Sequence, residues 1–271
     1  MKKSHKTAYA EIITGRAIPL NSWIPFAGLR DHDCAGGGAM NPVLAIAGIA
    51  LLTIALGTGC LEDRPQEEIQ MREATVLELP ELMDESETSI EEALTERRSV
   101  RNFSEGSLKI EEIGQLLWAS QGITDPAGYR TAPSAGALYP LEVYVVVRSV
   151  DDVEPGVYRY VPEGHELHRI LGGDISSGLR TAALSQPAVG DAPANIVICA
   201  IPDRTTSKYG DRGIRYVHME AGHAAQNIYL QAVSLDLGTV SIGAFEDAEV
   251  QRLLNLSPDE MPLYIMPVGR I

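Results

Sequence analysis

The sequence is short of cysteine. Its 271 residues include Cys34, Cys60 and Cys199 and no others, which excludes the disulfide framework of a small secreted domain. These three cysteines and the six scattered histidines form no spacing typical of a zinc site or an iron-sulfur cluster. No bound metal is expected, and Cys199, which lies in an apolar stretch, is expected to be an ordinary core residue.

Positive charge is also scarce, because 22 Lys and Arg residues face 37 Asp and Glu residues, for a net charge of -15. That balance argues against a general nucleic-acid binder, which needs basic residues in excess to neutralise phosphates. The Gly-x-Ser-x-Gly elbow of many hydrolases is absent, which argues against hydrolysis. No internal repeat is present, and 45% of the residues are hydrophobic, as expected for a soluble, acidic enzyme with one globular domain.

The longest uncharged apolar run, residues 43–59, is shorter than the roughly 20 residues that usually span a bilayer. It favours either a signal peptide, with lipid attachment at Cys60 after the small residues 57–59, or an uncleaved anchor helix. Both interpretations tether the protein to a membrane, on its outer face, and Met40 is then a candidate true start. If the segment is not used, the protein is cytoplasmic. Mass spectrometry of the mature chain separates these alternatives.

Acidic residues dominate the stretch that follows, where they far outnumber Arg64 and Arg72. Such a composition favours a solvated tether without a core of its own. The predicted organisation is therefore a leader at 1–60, an acidic tether at 61–88 and a folded domain at 89–271.

The domain is predicted to begin with a helix from Ser89 to about Arg97. Ser89 followed by Glu92 fits a capping box at the helix N-terminus. Helical spacing predicts that one face of this helix packs on the core and turns Arg97 toward the same side. The residues of that face are Ile90, Ala93, Leu94 and Arg97.

Further along the chain, helical and strand patterns alternate. Helices are expected from Ser107 to Gly122 and over 174–184, 213–235 and 246–254, and strands over 141–148, 156–160, 165–170, 194–201, 240–244 and 263–268. The strand at 141–148 is rich in valine and should be central in its sheet. This order predicts an α+β, three-layer fold in which a mixed, mainly antiparallel sheet has helices on both faces.

Three stretches indicate a ligand site. Arg97, Arg98, Ser99 and Arg101 place three guanidiniums and a hydroxyl at one helix end, a donor set that suits phosphate oxygens. A solvated basic corner is the alternative interpretation of this cluster alone. Residues 132–140 and 238–245 are rich in small side chains, which let the backbone approach a flat ligand closely.

From about Ser89 to Ile271 the chain resembles the nitroreductase superfamily of FMN enzymes, and within it the SagB-type dehydrogenases that oxidise thiazolines and oxazolines. The resemblance is carried by Arg-Arg-Ser-x-Arg at 97–101, Ala-Pro-Ser-Ala-Gly-Ala-Leu-Tyr-Pro at 132–140 and Glu-Ala-Gly-His-Ala-Ala-Gln-Asn at 220–227, in the family's order. Many nitroreductases have Asn and Gln where this chain has Ala137 and Tyr139, a departure that favours the azoline-oxidising branch.

The resemblance implies FMN as the cofactor and assigns the residues that hold it. Arg97, Arg98, Ser99 and Arg101 would bind the phosphate, the ribityl chain and the pyrimidine edge. The isoalloxazine ring would lie along Pro133, Ser134, Ala135 and Gly136, with the backbone N–H groups of Gly243 and Ala244 near its N5 atom. The substrate would be a small molecule or a modified peptide.

Lys208 and Tyr209 match a Lys-Tyr pair that the azoline-oxidising branch uses in catalysis. Removing a proton beside the carbon that gives up a hydride needs a base, and the Lys208 ammonium can stabilise the Tyr209 phenolate. The alternative interpretation is an exposed loop before the long helix, in which both are surface residues.

The resemblance also implies a homodimer, with the long helix in the dimer core and FMN at the subunit interface. The polar residues of that helix, Glu220, His223, Gln226 and Asn227, are expected to be satisfied core or interface groups. Two other functions stay open, namely an NAD(P)H-dependent reductase of small molecules and a flavin-binding electron-transfer protein without turnover.

Overall fold

A computed structural model of the protein describes residues 75–271. The predicted leader, with its apolar run at 43–59 and the lipidation candidate Cys60, and the first part of the tether lie outside the described residues. Within 75–271, no helix combines the length and the apolar character needed to cross a membrane.

Within residues 75–271, seven strands form one sheet. The strands are β1 Val76–Glu78, β2 Leu141–Val147, β3 Gly156–Val161, β4 Glu166–Gly172, β5 Ala194–Ala200, β6 Leu237–Thr239 and β7 Met261–Arg270. Their spatial order is β1-β4-β3-β2-β5-β7-β6, and every pair of neighbouring strands is antiparallel. In this part of the chain, parallel pairing occurs only as isolated bridges, such as that between Ser99 and Thr239.

The sheet is covered by helices on both faces. The helices are α1 Ile90–Glu96, α2 Ile110–Gln121, α3 Ser176–Ala182, α4 Pro187–Asp191, α5 Asp203–Tyr209, α6 Arg212–Ser234 and α7 Asp247–Leu253, with a short 3₁₀ turn at Ala135–Ala137. Buried residues of α2 and α6 pack on one face, and those of α3, α4 and α7 pack on the other. The predicted α+β three-layer fold is confirmed.

Strand β2 lies at the centre of the sheet, as its valine content predicts. Alternate side chains belong to opposite cores, because successive residues of a strand point to opposite faces. Val143 and Val145 are buried with α2 and α6, whereas Tyr144 and Val146 are buried with α3 and α7. Cys199 on the neighbouring strand β5 is fully buried in the second core, which confirms the structural role predicted for it.

The predicted start of α1 is confirmed, because the Ser89 hydroxyl accepts the Glu92 N–H at 3.1 Å. The predicted core face of this helix is wrong, however. Of its apolar residues only Ala93 is buried, and Ile90 and Leu94 are 55% and 56% exposed. A helix of two turns presents little surface to α6, the helix against which it packs.

The predicted boundary between tether and domain at residue 89 is too late. Strand β1 lies within the predicted tether and pairs with β4, and Leu77 and Leu79 pack against the main core. The Met83 N–H donates to the Gln115 side chain at 3.0 Å. Because of these contacts, the folded domain includes residues 75–88. The acidic composition of this stretch made its few apolar residues difficult to recognise from the sequence.

Residues 240–244 do not form the predicted strand. The ladder with β7 involves Leu237–Thr239 instead, and beyond it only Ile242 forms a bridge, to Ile265. The apolar residues Val240 and Ile242 are buried in the second core without strand geometry. The run at 240–244 is therefore a loop, in which the Ser241 and Ile242 N–H groups still have hydrogen-bond acceptors.

Candidate functional site

The arginine cluster follows the end of α1 and lies beside the segment that leaves β6. The Val100 N–H donates to the Thr239 carbonyl at 2.9 Å, and Ser99 forms a parallel bridge with Thr239. Residues 97–101 and 239–241, which are far apart in the sequence, thus form two adjacent walls.

Tyr229 of α6 joins these two walls through its hydroxyl. The hydroxyl accepts the Ser241 N–H at 2.8 Å and lies 3.1 Å from the Ser99 hydroxyl. The Arg97 guanidinium carbon lies 5.1 Å from the centroid of the Tyr229 ring, in cation–π geometry. Sequence reasoning included Ser241 within the segment 238–245 but did not identify Tyr229, because nothing local distinguishes this tyrosine from a core residue of a helix.

The electrostatics of this corner favour negative charge. Burial on its own would raise the pKa of Tyr229, but the hydrogen bonds from Ser241 and Ser99 and the nearby Arg97 together lower it. The Ser241 N–H already donates to the Tyr229 hydroxyl, so the Arg97 guanidinium is the group of this corner that could also pair with an anionic ligand.

Arg98 and Arg101 contribute differently. The Arg98 guanidinium turns back to the end of α1, where its Nη1 donates to the carbonyls of Thr95 and Arg97, each at 2.8 Å. Arg101 is exposed. Arg97 and Ser99 are thus the cluster members joined to the Tyr229 corner, and Arg98 also closes the C-terminal end of its own helix.

The second predicted segment forms a tight, irregular turn. Gly136 has φ +68°, and Ala137 and Tyr139 also have positive φ values, of 53° and 45°. The Ser134 hydroxyl holds the turn by accepting the Tyr139 N–H at 2.9 Å. Pro133 and Gly136 are exposed on its surface, so the backbone of this turn is open to a flat ligand.

Gly136 touches the predicted catalytic pair. A Cβ atom added to Gly136 would lie 2.8 Å from the Tyr209 hydroxyl and 2.9 Å from Lys208 Nζ, closer than two non-bonded atoms can approach. The two polar ends therefore converge on one point above the turn, and only glycine leaves room for them.

Lys208 and Tyr209 form the last turn of α5, which sequence reasoning did not predict, so the exposed-loop interpretation is wrong for the backbone. The Tyr209 ring packs edge to face on Tyr216 of α6, with centroids 5.2 Å apart. Lys208 Nζ lies 5.5 Å from the centroid of the Tyr209 ring. The side-chain positions are thus set by helix packing.

The third segment presents its backbone at the surface. Gly243 and Ala244 are both exposed, and the Ala244 carbonyl accepts the Gln186 side-chain amide at 3.0 Å. This contact anchors the loop to the start of α4.

Helix α6 supports both parts of the site. It packs against α1, α5, β6 and the 3₁₀ turn. Tyr229 and Glu220 are nine positions apart on it, which corresponds to about 13 Å along the axis. The arginine corner and the Gly136 turn are thus held at a fixed spacing by one rigid element.

Glu220 departs from the expectation of a satisfied core group. It is 2% exposed, and its Oε1 atom has no hydrogen-bond partner among the described residues. Burial raises the pKa of Glu220 to about 7, against the opposing influence of Ser134 and Arg130. A buried carboxyl that titrates near neutral pH therefore lies behind the turn at 134–139.

Comparison with known proteins matches residues 94–270 to the nitroreductase family. The nitroreductase-family protein MJ1384 of Methanocaldococcus jannaschii is 51% identical over 190 residues, which cover 70% of this chain and 95% of that protein. The microcin B17-processing protein McbC of Escherichia coli is 30% identical over 178 residues. That match covers 63% of this chain, and this chain spans only 65% of the length of McbC.

A solved structure extends the likeness to the fold. A chain of the E. coli microcin synthetase McbBCD complex, with truncated pro-MccB17 bound, superimposes with a TM-score of 0.57 at 25% identity. The superposition covers 82% of this chain and 84% of that one.

Proposed function

Because this chain belongs to the nitroreductase family of oxidoreductases, we propose that it is an FMN-dependent dehydrogenase of the SagB type, which oxidises thiazoline or oxazoline rings. One observation carries the proposal. The ends of Lys208 and Tyr209 meet above Gly136, within the segment expected to lie along the flavin ring.

The residues present fit FMN. Arg97 and Ser99 flank a corner that favours negative charge, as a cofactor phosphate requires. The turn at Gly136 has an exposed backbone without a side chain of its own, and the ends of Lys208 and Tyr209 meet above it. When bound there, FMN supplies the acceptor for a hydride.

The protein's own side chains would handle the proton. Oxidation of an azoline ring to an azole removes a hydride from one ring carbon and a proton from the next. As the base, Tyr209 would take that proton at its Oη atom, with the Lys208 ammonium beside it above Gly136. Gly136 leaves both groups free to reach the ring face.

The name of McbC and the truncated pro-MccB17 bound in the McbBCD complex support a peptide as the substrate, and the resemblance to SagB-type dehydrogenases supports azoline rings in that peptide. A small molecule that contains an azoline ring is the alternative substrate.

We also propose a homodimer, supported by apolar side chains that α6 leaves uncovered. Among them, Ile214 is 38% and Met219 is 52% exposed.

A second candidate is an NAD(P)H-dependent reductase of small molecules, which the 51% identity with MJ1384 favours. The two functions make different demands on Tyr209. Reduction of an added acceptor by NAD(P)H needs no base at that position, so a Tyr209→Phe variant would keep full reductase activity.

The cofactor is tested with the full chain, purified and examined by visible absorbance, with release and identification of any bound flavin. We expect non-covalent FMN, with retention about tenfold weaker in Arg97→Ala, because charge-assisted hydrogen bonds to the phosphate are lost. The exposed Arg252→Ala is the control. A folded, colourless chain that does not take up added FMN would rule out the proposal.

A further inference from the structure

A polar cavity of about 210 Å³ lies where α2 and β3 end and β2 begins. Three arginines from three different segments line it, namely Arg130, Arg159 and Arg204. None of the residues predicted to bind FMN belongs to its lining. The cavity is therefore distinct from the phosphate corner at Arg97.

Buried donors around this cavity have no acceptor within the described part of the chain. Gln121 is 1% exposed, and its Nε2 has no partner. The Nε atoms of Arg130 and Arg159 are likewise buried without a partner. Buried donors are normally satisfied, because an unpaired one costs the full desolvation of its N–H. Three such donors beside one cavity are groups that an acceptor brought into the cavity could pair with.

The charge of the lining indicates the sign of that ligand. Arg204 pairs with Glu142 at 2.5 Å and Arg130 with Glu163 at 3.3 Å, whereas Arg159 forms no ion pair with a described carboxylate. The lining thus carries one net positive charge, in a chain whose net charge is -15. The Glu163 side chain is 65% exposed, so its pairing with Arg130 is weak.

The cavity is linked to the Gly136 turn through Tyr139. Arg204 Nη1 donates to the Tyr139 carbonyl at 3.0 Å, and the Arg130 guanidinium lies 4.7 Å from the Tyr139 ring centroid. Arg204 also shares α5 with Lys208 and Tyr209. A group held in the cavity would therefore be fixed beside the helix that presents the proposed base.

We propose that this cavity binds an oxyanion, a carboxylate or a phosphate, and that it anchors the acidic end of the substrate. Arg159 supplies the uncompensated charge, and Gln121 and Arg130 supply further donors. As a substrate anchor the site rests on the proposed function, whereas as an anion site it does not.

The test is anion binding to the full chain in excess FMN, which occupies the arginine corner if that corner binds FMN. Inorganic phosphate and acetate are titrated separately at constant ionic strength, with sodium chloride as the reference, by calorimetry or by the shift in thermal unfolding. We expect saturable binding, weakened about tenfold or more in Arg159→Gln. Arg252→Gln, which removes an equal charge from the exposed surface of α7, should bind like the wild type.

The two anions distinguish the source of the ligand. Saturation by phosphate alone identifies a phosphorylated ligand, and saturation by acetate identifies a carboxylate. If Arg159→Gln does not fold, Arg159→Lys replaces it, because it keeps the charge but removes the unpartnered Nε, and it should also weaken binding.

Absence of saturable binding, or equal binding by wild type and both Arg159 variants, would overturn the anion site. A chain that takes up no FMN but binds phosphate in an Arg159-dependent manner would leave the anion site standing and reject the proposed function. An FMN-loaded chain that binds neither anion would reject the anion site and leave the proposed function standing.

Discussion

The hydroxyl of Tyr229 accepts the backbone N–H of Ser241 at 2.8 Å. This one contact ties the C-terminal part of α6 to the loop that carries Gly243 and Ala244. The same hydroxyl contacts Ser99, so it adds a side-chain link to the backbone contact of Val100 with Thr239 that already joins the two walls.

Tyr229→Phe should therefore remove the contacts of the hydroxyl with Ser99 and Ser241 without unfolding the domain. Loss of the hydroxyl leaves the Ser241 N–H without its acceptor, at a cost of about 1 kcal/mol in the free energy of unfolding. We expect FMN affinity to fall more than stability does, because Ser99 and Ser241 lose the hydroxyl that both of them contact. Flavin titration and urea unfolding measure the two effects.

Tyr129→Phe is the matched control for that variant, since Tyr129 is 58% exposed in a surface turn. It should change neither quantity. Equal FMN affinity in Tyr229→Phe and wild type would show that the Tyr229 corner does not hold the cofactor.

Gly136→Ala should displace the Lys208 and Tyr209 ends. The φ of +68° at position 136 disfavours alanine by about 1 kcal/mol. The new Cβ would also overlap the Lys208 ammonium and the Tyr209 hydroxyl. We expect azoline turnover, measured with saturating FMN, to fall at least about tenfold, because a misplaced base loses catalysis steeply. Mass spectrometry of the peptide product measures turnover.

Gly128→Ala isolates the backbone strain in that experiment. Gly128 has φ +85° but nothing within 4 Å of an added Cβ, so this variant has the strain without the overlap. It should lose a similar amount of stability and keep its turnover. If both variants lose turnover equally, contact with Lys208 and Tyr209 is not the cause.

Glu220→Gln should stabilise the protein at high pH. Burial raises the pKa of Glu220 from its ordinary value of 4.5 to about 7, so the folded state holds this proton more tightly than the unfolded state does. The wild type consequently loses stability as the pH rises from 4.5 to about 7, and the penalty is complete above that range. A pKa difference of this size corresponds to a loss of about 3 kcal/mol in the free energy of unfolding.

The measurement is the free energy of unfolding from pH 4 to 8 for both proteins. The stability advantage of Glu220→Gln over the wild type should grow through the range from 4.5 to 7. Glu111→Gln, an exposed carboxyl on α2, is the control and should show no such trend. A difference between Glu220→Gln and the wild type that does not vary with pH would contradict the effect of burial.

Met219→Asp should dissociate the proposed homodimer. Met219 is 52% exposed on α6, and a carboxylate at a closed apolar interface loses its hydration without a partner. Sedimentation should show a dimer for the wild type and a monomer for the variant. Met261→Asp, at a residue 43% exposed on β7, tests whether any added charge has the same effect. A monomeric wild type would reject the dimer.

The parts of the fold that follow from local chemistry could be predicted from the sequence. Ser89 caps α1 because its hydroxyl is placed correctly for the Glu92 N–H, and β2 is central because valines on both of its faces demand burial. Exposure of Ile90 and Leu94 was not predictable in this way, because helical spacing gives a common face but does not say what covers it.

The site could be predicted only as separate segments. Arg97 and Ser99 were identified from residue type, but the role of Tyr229 arises from contacts with residues distant in sequence. The convergence of Lys208 and Tyr209 on Gly136 likewise depends on the packing of α5 against α6, which no local pattern specifies.

The most direct test of the central claim is single-turnover oxidation of an azoline-containing peptide by the FMN-loaded full chain. Product formation is measured as the loss of two hydrogens from the peptide. We expect the wild type to form the azole. Tyr209→Phe should retain FMN but form the azole at least about 100-fold more slowly, because the base is missing. Lys208→Ala should show a smaller loss. Azole formation at the wild-type rate by Tyr209→Phe, or none by the FMN-loaded wild type, would contradict the account.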